Sequence, residues 1–171
     1  MRSTVPKLAA SLALLLALAG CNSPASGGPV GALSVPGSTC IELRGHEEAV
    51  FGTVLRTTPG ESGVLTGIDL SEASGLVMTG AWLVDLSPED PAIGSELLPI
   101  EEPLDALWDR RRNAVGSTVS GDAINLLVGL RLGDGVEEGT ASGLVIEHSS
   151  DDVNYRNETP EAIEVVALEC K

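Results

Sequence analysis

Aromatic side chains are almost missing from this chain, which holds one Phe, two Trp and one Tyr in 171 residues. Histidine occurs twice (His46 and His148) and lysine twice (Lys7 and Lys171). Ten basic against 25 acidic side chains leave a formal net charge of −15. Each shortage closes off a class of function. So few Lys and Arg argue against a nucleic-acid partner, because duplex binding rests on basic side chains that neutralise phosphates and release counterions. A Ser–Lys acyl-transfer site needs an internal lysine, and beyond residue 20 only Lys171 remains. His46 is followed by Glu47-Glu48-Ala49-Val50, so the HExxH zinc pattern fails at its second histidine, and no GxSxG elbow occurs. A core must be assembled from Val, Leu, Ile and Ala around Trp82 and Trp108, and the length suits one domain.

Long apolar runs are equally scarce. The single one, Leu8 to Gly20, spans 13 residues behind Arg2 and Lys7. As a helix it would cover about 20 Å of a hydrocarbon core roughly 30 Å thick, too little for a permanent span. Its charged start and apolar middle are those of a secretory leader. The run ends in Leu18-Ala19-Gly20-Cys21, which resembles the lipobox of bacterial membrane lipoproteins. That resemblance, confined to residues 1–21, implies cleavage before Cys21 and acylation of its thiol. Two or three chains on Cys21 would give stable anchoring, where one would not. The expected organisation is a signal peptide at 1–20, a lipidated flexible tether at 21–38 and a folded domain at 39–171. The tether assignment rests on Gly, Ser, Pro and Ala with no charge, a composition that buries too little to order itself. The chain from Cys21 onward carries 8 basic and 25 acidic side chains, a net charge of −17.

With Cys21 acylated, Cys40 and Cys170 are left as the only possible disulfide pair, which suits an oxidising compartment. A bridge between them requires the first and last strands to lie side by side or to face each other.

Alternation with period two marks the strands. Leu76, Met78, Gly80, Trp82, Val84 and Leu86 read as one face of a strand, and Ile124, Leu126, Val128, Leu130 and Leu132 as one face of another. Further strands are expected at 40–44, 48–56, 64–70, 117–120, 141–148 and 162–170. Gly133-Asp134-Gly135 is read as the turn of a hairpin that joins 124–132 to 140–148. One short helix is expected over 103–112, with Pro103 at its first position and the arginines in its last turn. The fold expected is an all-β antiparallel sandwich, compatible with immunoglobulin-like topology, carrying one short helix and closed by a terminal disulfide. The body resembles small β-sandwich surface lipoproteins, a likeness that implies no ligand.

Candidate chemistry is sparse. His148 has no recognisable nucleophile beside it. Glu137-Glu138 and Asp151-Asp152 offer hard oxygen ligands for Ca²⁺ without EF-hand spacing. Arg110-Arg111-Arg112 is the one basic cluster, read as charge balance at a helix end or as an anion patch. Tyr155 is expected to pack at the end of the sandwich beside Asn157 in a loop. No catalytic residue, metal or cofactor is assigned. The function expected is a membrane-anchored extracytoplasmic binding or protein-interaction module, held by lipid at Cys21, with an envelope protein as partner and no nucleic acid. A solute- or cation-binding accessory and a hydrolase working through paired carboxylates are the alternatives.

Overall fold

The computed structural model describes residues 24–121 and 123–170. The leader at 1–20, Cys21 and the first residues after it lie outside the described residues. In chain order the elements are β1 (Val30–Ala32), β2 (Gly37–Glu42), β3 (Ala49–Thr57), β4 (Ser62–Ser71), β5 (Leu76–Asp85), β6 (Ser95–Leu97), α1 (Asp105–Asp109), β7 (Arg112–Asn113), β8 (Thr118–Ser120), β9 (Ile124–Leu132), β10 (Glu138–Ala141), β11 (Gly143–Ser150), β12 (Val153–Glu158) and β13 (Glu161–Val166). No helix among them is long and apolar enough to cross a membrane.

The strands form a β-sandwich. One layer has the order β1-β3-β9-β5-β7, with β6 also on β3; the other strands form a β12-β11-β4-β8 sheet and a β10-β13-β2 sheet. These two smaller sheets share one bent hairpin. Only Ser142 separates β10 from β11, and only Thr159-Pro160 separates β12 from β13. The pairs Ala141↔Ile163 and Val145↔Glu158 are one residue out of step. Pro160 has no N–H to offer at that step. Thr159 spans the bend instead: its N–H donates to Leu144 O at 2.9 Å and its hydroxyl accepts from Leu144 N at 2.8 Å.

The hairpin expected between 124–132 and 140–148 does not form. β9 pairs antiparallel with β3 and β5, and β11 pairs with β4 and β12. The reason is burial. β9 is covered on both faces, and all seven residues from Ile124 to Leu130 are buried. Ile124, Leu126, Val128 and Leu130 face the main core with Leu65, Leu144 and Ile146, while Leu127 lies in a second cluster with Val50, Val84, Ile93, Ile100 and Leu107. A strand buried on both sides belongs at the centre of a sheet.

Trp82 also sits elsewhere than expected. The pairing of β5 with β9 shifts between Met78 and Gly80, and such a bulge exchanges the two faces of a strand. Leu76, Met78, Ala81 and Leu83 therefore face the main core, whereas Trp82, Val84 and Leu86 face the second cluster. There Trp82 meets Trp108 edge to face at 5.2 Å. Residues 86–110 thus form a flap over the outer face of the β9 sheet. The buried Asn125 pins it: its Oδ1 accepts from Ile93 N at 2.6 Å and its Nδ2 donates to Thr53 O at 3.2 Å. The expected helix shortens to α1 within this flap, with Leu104 as its N-cap and Arg110 as its C-cap, so Pro103 precedes it.

The tether reading is overturned for residues 24–38. Ala25 bridges to Tyr155 on β12, β1 pairs with β3 through Val30↔Thr57, and β2 already begins at Gly37. Val30 is 1 % exposed, inside the main core. The composition is too poor to order the segment alone, yet the body supplies the partners that it lacks. The folded domain therefore begins well before residue 39.

Candidate functional site

Cys40 and Cys170 are bridged, with Cα atoms 6.1 Å apart across a sequence separation of 130. β2, which carries Cys40, runs parallel along β13 with Cys40 opposite Glu164, and Cys170 lies four residues past the end of β13, outside the strand expected to reach it. The chain end is tied a second time, because Cys170 N donates to Glu42 Oε1 at 3.0 Å. That bond, with Arg44 beside it, holds the Glu42 carboxyl below the usual carboxylate range. Cys21, the expected acylation site, lies outside the described residues.

The arginine run is split among three partners. Arg110 pairs with Asp90 at 2.7 Å, Arg112 with Asp85 at 2.8 Å, and the Arg111 guanidinium lies 4.2 Å over the Trp108 ring. No shared anion patch results. The hydrogen bond from Arg110, then those from Ser87, lower the Asp90 carboxyl from 3.8 to about 2. A depressed carboxylate contributes stability above its unfolded value and loses it as pH falls through the folded one. Arg110→Ala should move the Asp90 midpoint, followed by NMR, up from about 2 toward 3.8; an unmoved midpoint would remove Arg110 as the cause.

The acidic pairs prove to be structural or dispersed. Asp151 and Asp152 are the two central residues of the β11–β12 hairpin turn, at φ 48° and 62°. Such a primed turn needs the left-handed region at both positions, which Asp tolerates. Glu138 lies on β10 opposite Val166. Among the described residues no three His, Cys, Asp or Glu side chains converge as a metal site would require. A polar groove of about 410 Å³ on the outer face of β4, β11 and β12 is lined by Asp69, Glu72, Glu147, Arg156 and Glu158. Within it Arg156 reaches Glu147 and Glu158 at 3.3 Å each, so one guanidinium serves two carboxylates.

No protein-family model matches the chain, and no curated protein is similar to it. Among solved structures it is similar to the Vibrio cholerae VesB protease at 6% identity and a TM-score of 0.41, over 81% of this chain and 32% of that one. It is also similar to the ASH / PapD-like domain 7 of human CEP192, at 8% identity and a TM-score of 0.40 over 100% of both chains. The CooA pilin subunit from enterotoxigenic Escherichia coli matches at 10% identity and 0.36, over 82% and 99%. The chain spans about a third of the protease's length. Likenesses this remote bear on neither activity nor partner.

Among the described residues, a buried imidazole without a hydrogen-bond partner lies on the side of the sandwich closed by residues 25–32. His148, on the inner face of β11, is 0 % exposed, and neither ring nitrogen has a hydrogen-bond partner among the described residues. Its ring stacks on Tyr155, the opposite residue on β12, at 5.0 Å and 16°. Burial lowers the imidazole below the ordinary histidine range. Tyr155 therefore lies on a strand and packs inward, and Asn157, expected in a loop, is a strand residue with a specific task. Asn157 Oδ1 accepts from Gly27 N at 2.8 Å, and Nδ2 donates to Gly27 O at 2.9 Å and Val30 O at 2.8 Å. Gly28 is pressed against the ring pair at φ +86°; a β-carbon there would stand 2.6 Å from Tyr155 Cδ1 and 2.8 Å from His148 Nε2. A lone asparagine in a polar run carries no signal in sequence that marks it as a clamp.

Proposed function

We propose that the chain is an extracytoplasmic lipoprotein, anchored through acyl chains on Cys21, whose β-sandwich acts as a protein-interaction module of the cell envelope and not as an enzyme. The observation that carries the reading is the Cys40–Cys170 bridge. It consumes two of three cysteines and leaves Cys21, the one that ends the lipobox-like leader, for another chemistry. A bridge of this kind suits folding outside the reducing cytosol. The strong acidic balance favours a partner with a basic face, since complementary charge speeds encounter and suppresses wrong pairings.

The experiment is Cys21→Ala in cells fed labelled palmitate. The account expects label on the parent chain and none on the variant. Equal labelling of both, or of neither, would contradict it. In-cell crosslinking from the body should in turn recover one envelope protein repeatedly, with a yield that falls as salt is raised.

A further inference from the structure

Residues 25–32 join the two layers of the sandwich at their edges. At one end Ala25 N donates to Asn154 O and Arg156 N donates to Ala25 O, at 2.9 and 2.8 Å, which adds the segment to β12. At the other end β1 pairs with β3. Between these ends the segment runs over the His148–Tyr155 pair. Val30 Cγ2 and His148 Cδ2 lie together above Gly63, where a β-carbon would meet them at 2.8 and 3.2 Å. The groups facing the imidazole are Gly28 and Val30 from the strap, Gly63 and Leu65 from β4, and Tyr155 from β12. None is charged and only Tyr155 is titratable. The charged neighbours in sequence, Glu147 and Arg156, belong to the opposite, outer face.

We propose that residues 25–32 form an acid-released strap: protonation of His148 opens the segment and uncovers the His148–Tyr155 pair together with the β3 and β12 edges. An imidazolium in this slot would have neither a counter-charge nor a hydrogen-bond acceptor, so it must reach water. Of the elements that cover it, the strap is the cheapest to move. Residues 25–28 are exposed, and β1 is three residues long on a sheet edge, so that only Pro29 and Val30 must leave buried positions. β4 and β12, by contrast, are paired along most of their length with β11. The Cys40–Cys170 bridge keeps residue 40 in place, so opening stops short of β2 and the sandwich survives. A histidine that is neutral when closed and ordinary when open favours the closed form above its open-state value of roughly 6.5. Below that pH, opening gains up to about tenfold per unit, so at most about 30-fold at pH 5 relative to neutral pH. The proposal stands whether or not Cys21 carries acyl chains.

Hydrogen-exchange mass spectrometry on the full chain in detergent, corrected for the intrinsic pH dependence of exchange, tests it. Protection of peptides within 24–33 should fall about 15-fold between pH 6.5 and 5.0 while that of β9 holds. His148→Phe, which keeps the ring stack but cannot titrate, should hold strap protection constant. An unchanged strap in the parent chain, or the same loss in His148→Phe, overturns the proposal. Should that variant fail to fold, Asn157→Ala supplies the second arm. By loosening the closed strap it should raise the His148 midpoint measured by NMR toward the ordinary value, and an unmoved midpoint overturns the proposal equally.

Discussion

Replacing Cys40 and Cys170 together by serine should lower the stability of the body by about 3–5 kcal/mol and the melting midpoint by roughly 10–15 °C. The bridge closes a loop across a separation of 130 residues, for which the chain-entropy estimate is about 5 kcal/mol. Measured gains commonly fall short of that figure because the reduced, unfolded chain keeps some structure. The native-state consequence is local as well. The bridge, the β2–β13 pairing and the Cys170–Glu42 hydrogen bond all fasten the same corner, so the serine variant should fray there first. Calorimetry of the two forms, with hydrogen exchange at residues 37–43 and 161–169, checks both parts. A midpoint that moves by less than about 3 °C would mean that the neighbouring strands hold this corner unaided.

The flap should be lost with a single side chain. Asn125→Ala removes the acceptor of Ile93 N–H and the donor to Thr53 C=O, both at a buried site. Leaving buried backbone groups without partners costs about 1–3 kcal/mol each, so a loss of about 3 kcal/mol is expected, concentrated in residues 86–110. Gly52 makes the same contact from the neighbouring strand: its N–H donates to Gly94 O at 2.6 Å, and a β-carbon at this position would collide with the Ile93 carbonyl. Gly52→Ala should therefore lift the flap too, and the double variant should cost clearly less than the sum of the singles, since both break one contact. Denaturant unfolding gives the cycle, and Trp fluorescence reports Trp82 beneath the flap and Trp108 within it. Full additivity would show that the two residues hold independent structures.

The sandwich was legible in the sequence because period-two alternation survives wherever a strand keeps one face to the core. Ile124 to Leu132 displays it cleanly, and that strand lies within its expected bounds. Alternation is silent about partners. β9 looked like half of a hairpin with the next strand in the chain, and nothing in its own residues announced a second cover on its outer face. In β5 the even positions are mostly apolar, but Val77, Ala81 and Leu83 are apolar as well; the bulge between Met78 and Gly80 exchanges the faces midway, and an apolar residue reads the same on either side. The cysteine pairing followed once the lipobox resemblance set Cys21 aside, and the bridge is present. The strap and the Asn157 clamp were illegible for a different reason: composition measures what a segment can bury by itself, whereas Val30 is ordered by a slot that distant strands provide. His148 was visible as a residue, but its sealing beneath residues 25–32 arises from contacts more than a hundred positions apart.

The most direct test of the account is the intact mass and N-terminal residue of the protein taken from its own cell envelope. The account predicts a chain that begins at Cys21, carries two or three fatty chains on that residue, and contains one disulfide between Cys40 and Cys170. A chain that keeps residues 1–20, or that shows Cys21 as an unmodified thiol, would contradict the anchor and the location proposed with it.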